Sequence, residues 1–276
     1  MRIARDLSSL RAEAARLGPI ALVPTMGALH EGHLSLIRAA RREVAAMGGA
    51  VAASIFVNPL QFGPNEDLSR YPRDEAGDLA ALEGAGCDLA WLPSVEAMYP
   101  PGRATAIEVG GPSEGWEGTA RPGHFRGVAT VCAKLFLQTG ARVAMFGEKD
   151  WQQLQVIRRM VADLDLPLRI VGCPTVREAD GLAMSSRNRF LSPAERHQAA
   201  RLFAALTETA TALGAGQPAA AALAAARARL AAEGFGLDYL ALVEPESLRE
   251  TDSLPGRLIA AARLGSVRLL DNIAAG

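Results

Sequence analysis

This chain of 276 residues has little cysteine, almost no net charge and no long apolar run, and each shortage excludes a class of function. Cys87, Cys132 and Cys173 lie far apart among apolar neighbours without paired spacing. They read as small core residues in a reducing compartment rather than as a disulfide frame or zinc ligands. A formal charge of -1 and a pI near 6.5 give no polyanion-binding surface and no acidic tail, which disfavours nucleic acid as the main partner. The N-terminal stretch Met1-Arg2-Ile3-Ala4-Arg5-Asp6-Leu7 is charged rather than secretory, and nothing is apolar over the length a membrane span needs, so the expected location is the cytoplasm. No Ser-His-Asp order and no cysteine nucleophile with a local signature is visible. Metal-ligand clusters are equally lacking: His30 and His33 stand at i,i+3 but have no obvious third ligand. What is present is an apolar content of 49%, ample for the core of one large domain or two moderate ones.

Up to about residue 176, short β-rich runs alternate with helical segments. The strand candidates are Ile20 to Pro24, Val51 to Val57, Asp88 to Pro93, Val143 to Gly147 and Arg169 to Val176. Such alternation argues for an α/β fold with a parallel sheet and helices on both faces, in which ligands bind beyond the carboxyl ends of the strands. After Arg189 the composition changes. Ser192-Pro193-Ala194-Glu195 is a helix-start signature, and an alanine-rich helical stretch follows, broken near Gly214 to Pro218. Asp238 to Val243, Leu258 to Arg263 and Ser266 to Ile273 then read as a small sheet. A first domain over residues 1–176 and a smaller α+β domain over residues 177–276 account for this pattern.

Five loops carry candidate chemistry. Met26-Gly27-Ala28-Leu29-His30-Glu31-Gly32-His33 joins a strand to a helix whose apolar positions are Leu34, Ile37, Val44 and Met47. Glycines at both ends of that turn would let backbone amides approach an anion, and the helix start favours negative charge, so the turn reads as a polyphosphate site. Gly147-Glu148-Lys149-Asp150 lies at another strand-to-helix junction, where Lys149 can meet phosphate oxygens and Asp150 either caps the helix or faces a metal-bound phosphate. Of Gln152 and Gln153 just after it, one is expected to face the crevice. Met184-Ser185-Ser186-Arg187 supplies two hydroxyls and a guanidinium after a turn in which Gly181 is expected at positive φ; it reads as a phosphate loop or as an interdomain linker. Asn58 and Gln61 bring neutral amides to a strand end among apolar rings, suited to a small hydroxylated carboxylate, or else form a rigid proline turn. His124 either points into the site or caps the helix that follows it. The set suits anion stabilisation and nucleotidyl or phosphoryl transfer better than covalent catalysis.

Five segments in order, Pro24 to His33, Phe56 to Phe62, Arg121 to Val128, Phe146 to Asp150 and Asp180 to Asn188, resemble the pantoate–β-alanine ligase family over nearly the whole chain. Trp151 stands where phenylalanine is common in that family. The resemblance implies a Rossmann-like nucleotidyltransferase domain, a C-terminal lid domain, a homodimer, and ATP-dependent condensation of pantoate with β-alanine through a pantoyl adenylate. It implies ATP contacts at Met26 through His33, Gly147 through Asp150, Val176 and Met184 through Arg187, with His33 as proton donor. Gln61 and Gln153 are carried over as pantoate contacts, Gln61 also lying near β-alanine. Magnesium is expected with the triphosphate, without an assigned protein ligand. Two rivals stand beside this reading: a nucleotidyltransferase that joins AMP to a phosphate acceptor, and a nucleotide sensor that has lost turnover.

Overall fold

Apolar strands too short to hide their own edges pair side by side in the first part of the chain. A computed structural model describes residues 1–64, 66 and 68–276. Its strands β1 (Arg2–Ala4), β2 (Ile20–Thr25), β3 (Ala50–Ile55), β4 (Leu89–Trp91), β5 (Val143–Gly147) and β6 (Arg169–Cys173) form one sheet in the order β1-β4-β3-β2-β5-β6, and every pairing is parallel. The helices of this region are α1 (Leu7–Leu17), α2 (Glu31–Ala45), α3 (Glu75–Gly84), α4 (Val95–Met98), α5 (Trp116–Ala120), α6 (His124–Thr139) and α7 (Trp151–Asp163).

Side chains of a strand alternate between faces, and here both faces are covered. Ala21, Val23, Val51, Ala53, Val143 and Met145 share one core with Ile37, Ala40 and Val44 of α2. Strand residues of opposite parity meet α6: the Trp91 indole donates to Gln138 Oε1 at 3.2 Å, and Phe146 meets Phe136 edge-on at 6.3 Å. β2 and β5 pair only through Ala21–Val143 and Leu22–Ala144. Beyond that point β2 carries Pro24, which has no N–H to offer a ladder. The strand order reverses between β2 and β5, so the end of β2 and the end of β5 flank the switch point of a Rossmann-like sheet.

The chain divides into two units, Met1–Glu148 with Gln153–Pro174 and Lys149–Gln152 with Thr175–Gly276. The second unit holds α8 (Pro193–Ala199), α9 (Arg201–Gly214), α10 (Ala219–Ala232) and an antiparallel meander of β7 (Gly236–Val243), β8 (Gly256–Leu264) and β9 (Val267–Ala275). α9 and α10 pack on this sheet through Leu202, Leu206, Ala222 and Leu230 against Leu240, Leu258 and Leu269. The helix start at Ser192 forms the expected reciprocal cap, with Ser192 Oγ accepting from Glu195 N and the Glu195 carboxylate accepting from Ser192 N.

Three local expectations are corrected. The helix after His33 ends at Ala45, before Gly48-Gly49, and Met47 is exposed rather than part of the apolar stripe. The last strand of the parallel sheet stops at Cys173, because Pro174 cannot donate to a ladder. β1 was not anticipated: only Ala4 of its three residues is buried, so no alternation marks it. No helix among the described residues is long and apolar enough to cross a membrane.

Candidate active site

The turn after β2 is bound mostly to itself. Gly27 and Ala28 both take positive φ, 80° and 51°. Gly27 N donates to Thr25 Oγ1, Ala28 N and Leu29 N donate to the two oxygens of Asp78 at 2.9 and 2.7 Å, and His30 N donates to His33 Nδ1 at 3.3 Å. Gly32 N donates to His30 Nδ1 at 3.1 Å, and His33 N to His30 O. The amides of Gly27, Ala28, Leu29, His30, Gly32 and His33 thus all have partners in this structure, two of them on the Asp78 carboxylate of α3. The two imidazoles belong to the same network. Each ring accepts a backbone N–H at Nδ1, so the neutral ring carries its proton on Nε2. The two half-buried rings lie 4.1 Å apart at 47° and form a reciprocal cap at the N-terminus of α2.

Gln61, in a short 3-10 turn at Pro59–Gln61, is held by its neighbours. Asn58 is fully committed: its amide donates to Gln61 Oε1 at 3.0 Å and Gly127 O at 3.1 Å, while its Oδ1 accepts from Leu60 N and the Tyr99 hydroxyl. It is 1% exposed, so Asn58 orients Gln61. Gln61 Nε2 in turn points at Met26 Sδ, 3.3 Å away. His124 caps nothing: Gly123 is the N-cap of α6, at φ 83°, with no side-chain cap bond. The His124 ring instead accepts from Arg121 at Nε2, 3.1 Å, and so donates from Nδ1 to Gln61 O at 2.9 Å. Burial first, and the Arg121 charge second, push His124 down to about 4, leaving it neutral. Arg121 also binds Gln61 O and the Glu66 carboxylate. Gln153, half-buried, belongs to the same unit as Gln61, while Gln152 is buried.

The second unit gathers the remaining candidates. A cleft within it is lined by Lys149, Ser185, Arg187, Asn188, Arg268 and Asp271. Lys149 Nζ lies 3.4 Å from Asp150 Oδ1. Residues 176–184 form a small hairpin, with Arg177 bridged to Ala183 and Met184 N bonded to Val176 O. Gly181 takes φ 93° there, as expected, and a side chain at this position would also strike the Phe203 ring at 2.4 Å. Ser185 Oγ accepts from Arg187 N, and Asn188 Nδ2 donates to Ala183 O. β9 ties both segments down. Asp271 pairs with both terminal nitrogens of Arg177 at 2.7 and 2.8 Å, and Asn272 Nδ2 donates to Lys149 O at 2.8 Å. Arg257 bonds Asn272 Oδ1 and stacks on Trp151, whose indole donates to Pro245 O.

The model of the family described as pantoate-beta-alanine ligase matches residues 2–274. The chain belongs to the pantoate–β-alanine ligase family. Among its relatives, the pantothenate synthetase of Rhizorhabdus wittichii is 60% identical over 99% of this chain and 98% of its own, and that of Acidiphilium cryptum is 59% identical over 99% and 100%. The crystal structure of the Thermus thermophilus pantothenate synthetase, 51% identical, superposes with a TM-score of 0.94 over 100% of this chain and 99% of that one. The pantoate–β-alanine ligase of Francisella tularensis, solved with β-γ ATP and β-alanine, is 32% identical with a TM-score of 0.82, covering 100% and 98%.

Within this member of the family, Met26 through His33, Gln61, Gly147, Glu148 and Gln153 belong to one unit, and Lys149, Asp150, Val176 and Met184 through Arg187 to the other. Sequence reasoning missed the residues that hold these in place. Asp78 sits in an unremarkable acidic helix start with no motif around it. Asp271 and Asn272 left a readable signal: two adjacent polar residues in an apolar strand must face opposite sides, and both are 4% exposed.

Proposed function

We infer that this chain is an ATP-dependent ligase that condenses pantoate with β-alanine to give pantothenate, AMP and pyrophosphate. A pantoate carboxylate oxygen attacks the α-phosphorus of ATP, the bond to the bridging oxygen breaks, and pyrophosphate leaves. The neutral amine of β-alanine then attacks the acyl carbon of the pantoyl adenylate, AMP departs, and the amine proton passes to solvent. Met26 through His33, Gly147 through Asp150, Val176 and Met184 through Arg187 serve as nucleotide contacts, and Gln61 and Gln153 as pantoate contacts.

The observation that carries this reading is the pair of imidazoles at the switch point, each locked as an Nε2–H donor by a backbone N–H at Nδ1. Negative charge grows on the transferred phosphoryl group and on pyrophosphate as it leaves, and fixed donors there lower the barrier without reorganising. His33 is the donor assigned to that charge. Lys149 and Arg187 in the cleft of the second unit supply cations for phosphate oxygens. Gln61, with its amide oriented by Asn58, offers a neutral partner to a hydroxylated carboxylate. Among the described residues no group of three or more His, Cys, Asp or Glu side chains is set to hold a metal ion, so magnesium is taken to travel with the triphosphate. A lid domain over residues 177–276 beside an ATP- and pantoate-binding domain over 1–176, a homodimer and a cytoplasmic location belong to the same proposal, supported by the resemblance.

Incubation with ATP, magnesium, pantoate and β-alanine tests it by product identity. Equal amounts of AMP, pyrophosphate and pantothenate are expected. ADP, or transfer of AMP to a phosphate acceptor in place of pantoate, would refute it.

A further inference from the structure

We propose that Asp78 is a positioning residue for the reaction: its buried carboxylate holds the Gly27–Leu29 turn in the one conformation that aims the His30 and His33 rings. This rests on the reading of that turn as the phosphate-facing segment. Asp78 is 5% exposed on α3, some fifty residues along the chain from the turn, and its two oxygens receive Ala28 N and Leu29 N at 2.9 and 2.7 Å. A carboxylate is the side chain suited to two backbone donors at once, since both of its oxygens accept and neither donates.

The need for such an anchor is visible in the backbone. Ala28 takes φ 51°, a left-handed conformation that alanine resists, directly after Gly27 at φ 80°. Gly27 fits for a related reason: a Cβ there would sit 2.7 Å from Asp78 Oδ2 and 3.1 Å from Ile55 Cγ2. The glycine therefore admits the carboxylate. Downstream, Leu29 leads into His30, whose N–H meets His33 Nδ1 and whose own Nδ1 caps Gly32. A shift of the Ala28 and Leu29 amides thus moves both rings and the bonds that fix their tautomer.

Asp78→Asn tests this, because the carboxamide keeps the shape but turns an N–H toward one of the two amides. In the folded variant, kcat for pantoate-dependent ATP–pyrophosphate exchange is expected to fall on the order of 10- to 100-fold, as for small misplacements of reacting groups, with KM for pantoate within about twofold. Side-chain ¹⁵N spectra of the histidines supply a second readout: the parent protein should show the Nε2–H tautomer at His30 and His33, and the variant a mixture. Should Asp78→Asn not fold, Asp78→Ser, which leaves room for water at the two amides, is read in the same way. Unchanged kcat and unchanged spectra in a folded variant would overturn the proposal. So would recovery of full kcat on raising magnesium alone, which would make Asp78 a metal ligand. The spectra report on the turn without turnover, so failure of the ligase reading and failure of this proposal remain distinguishable.

Discussion

His124 gives the chain a defined sensitivity to mild acid. The imidazole is buried, accepts from Arg121 at Nε2 and donates from Nδ1 to Gln61 O, an arrangement open only to the neutral ring. Burial and the neighbouring guanidinium push its pKa from 6.5 down to about 4. A histidine whose folded value is depressed contributes stability that is complete above its unfolded pKa and is lost as pH falls from 6.5 toward 4, because the unfolded chain binds the proton first. Between pH 7.5 and 5 that loss is about 2 kcal/mol, and it approaches about 3 kcal/mol at still lower pH, at about 1.36 kcal/mol per unit. The groups facing the ring are Arg121, Glu66 and Glu117, the last two paired with Arg121. Burial raises Glu66, but its hydrogen bond and charge pairing with Arg121 hold it below the usual carboxyl range, so it stays ionised down to pH 5. Urea unfolding of the parent protein and of His124→Asn, whose amide can still donate to Gln61 O, isolates the imidazole. The stability difference between them should shrink by about 2 kcal/mol from pH 7.5 to pH 5. A difference independent of pH would refute the assignment of a buried neutral ring.

Two further substitutions probe how the site is held. Gly127→Ala puts a Cβ 2.3 Å from Leu60 O and 2.6 Å from Gln61 N, backbone atoms that cannot swing aside; a loss of about 1–3 kcal/mol by denaturant unfolding and a raised KM for pantoate are expected. Asn272→Asp keeps the bond from Arg257 but sets a carboxylate against Lys149 O. KM for ATP should rise about tenfold while KM for pantoate holds, consistent with the 1–3 kcal/mol that one buried hydrogen bond carries, and equal changes in both would contradict a role in placing Lys149.

Much of this architecture was legible because periodicity is a local property. β5 is predicted to the residue, the reciprocal cap at Ser192 and Glu195 is as expected, and Gly181 has the positive φ that its turn required. The candidate loops were legible because glycine, histidine, lysine and serine stand out against an alanine-rich background. The partners of those loops were not. Asp78 meets the β2 turn, Asn272 meets Lys149, and His124 meets Gln61 only through the tertiary fold, and a single sequence carries no distances across it. The partners of the β2 turn's own amides were illegible for the same reason. Glycine beside a helix start predicts available amides, but whether a buried carboxylate has already taken them is decided by an element far along the chain.

The central claim is that the His30–His33 turn promotes adenylation of pantoate, and ATP–pyrophosphate exchange measures that step without β-alanine. The parent protein should exchange labelled pyrophosphate into ATP only when pantoate is present, and His33→Ala should lose most of kcat for exchange while ATP affinity changes much less. Exchange that ignores pantoate, or an equal loss of affinity and rate in His33→Ala, would contradict it.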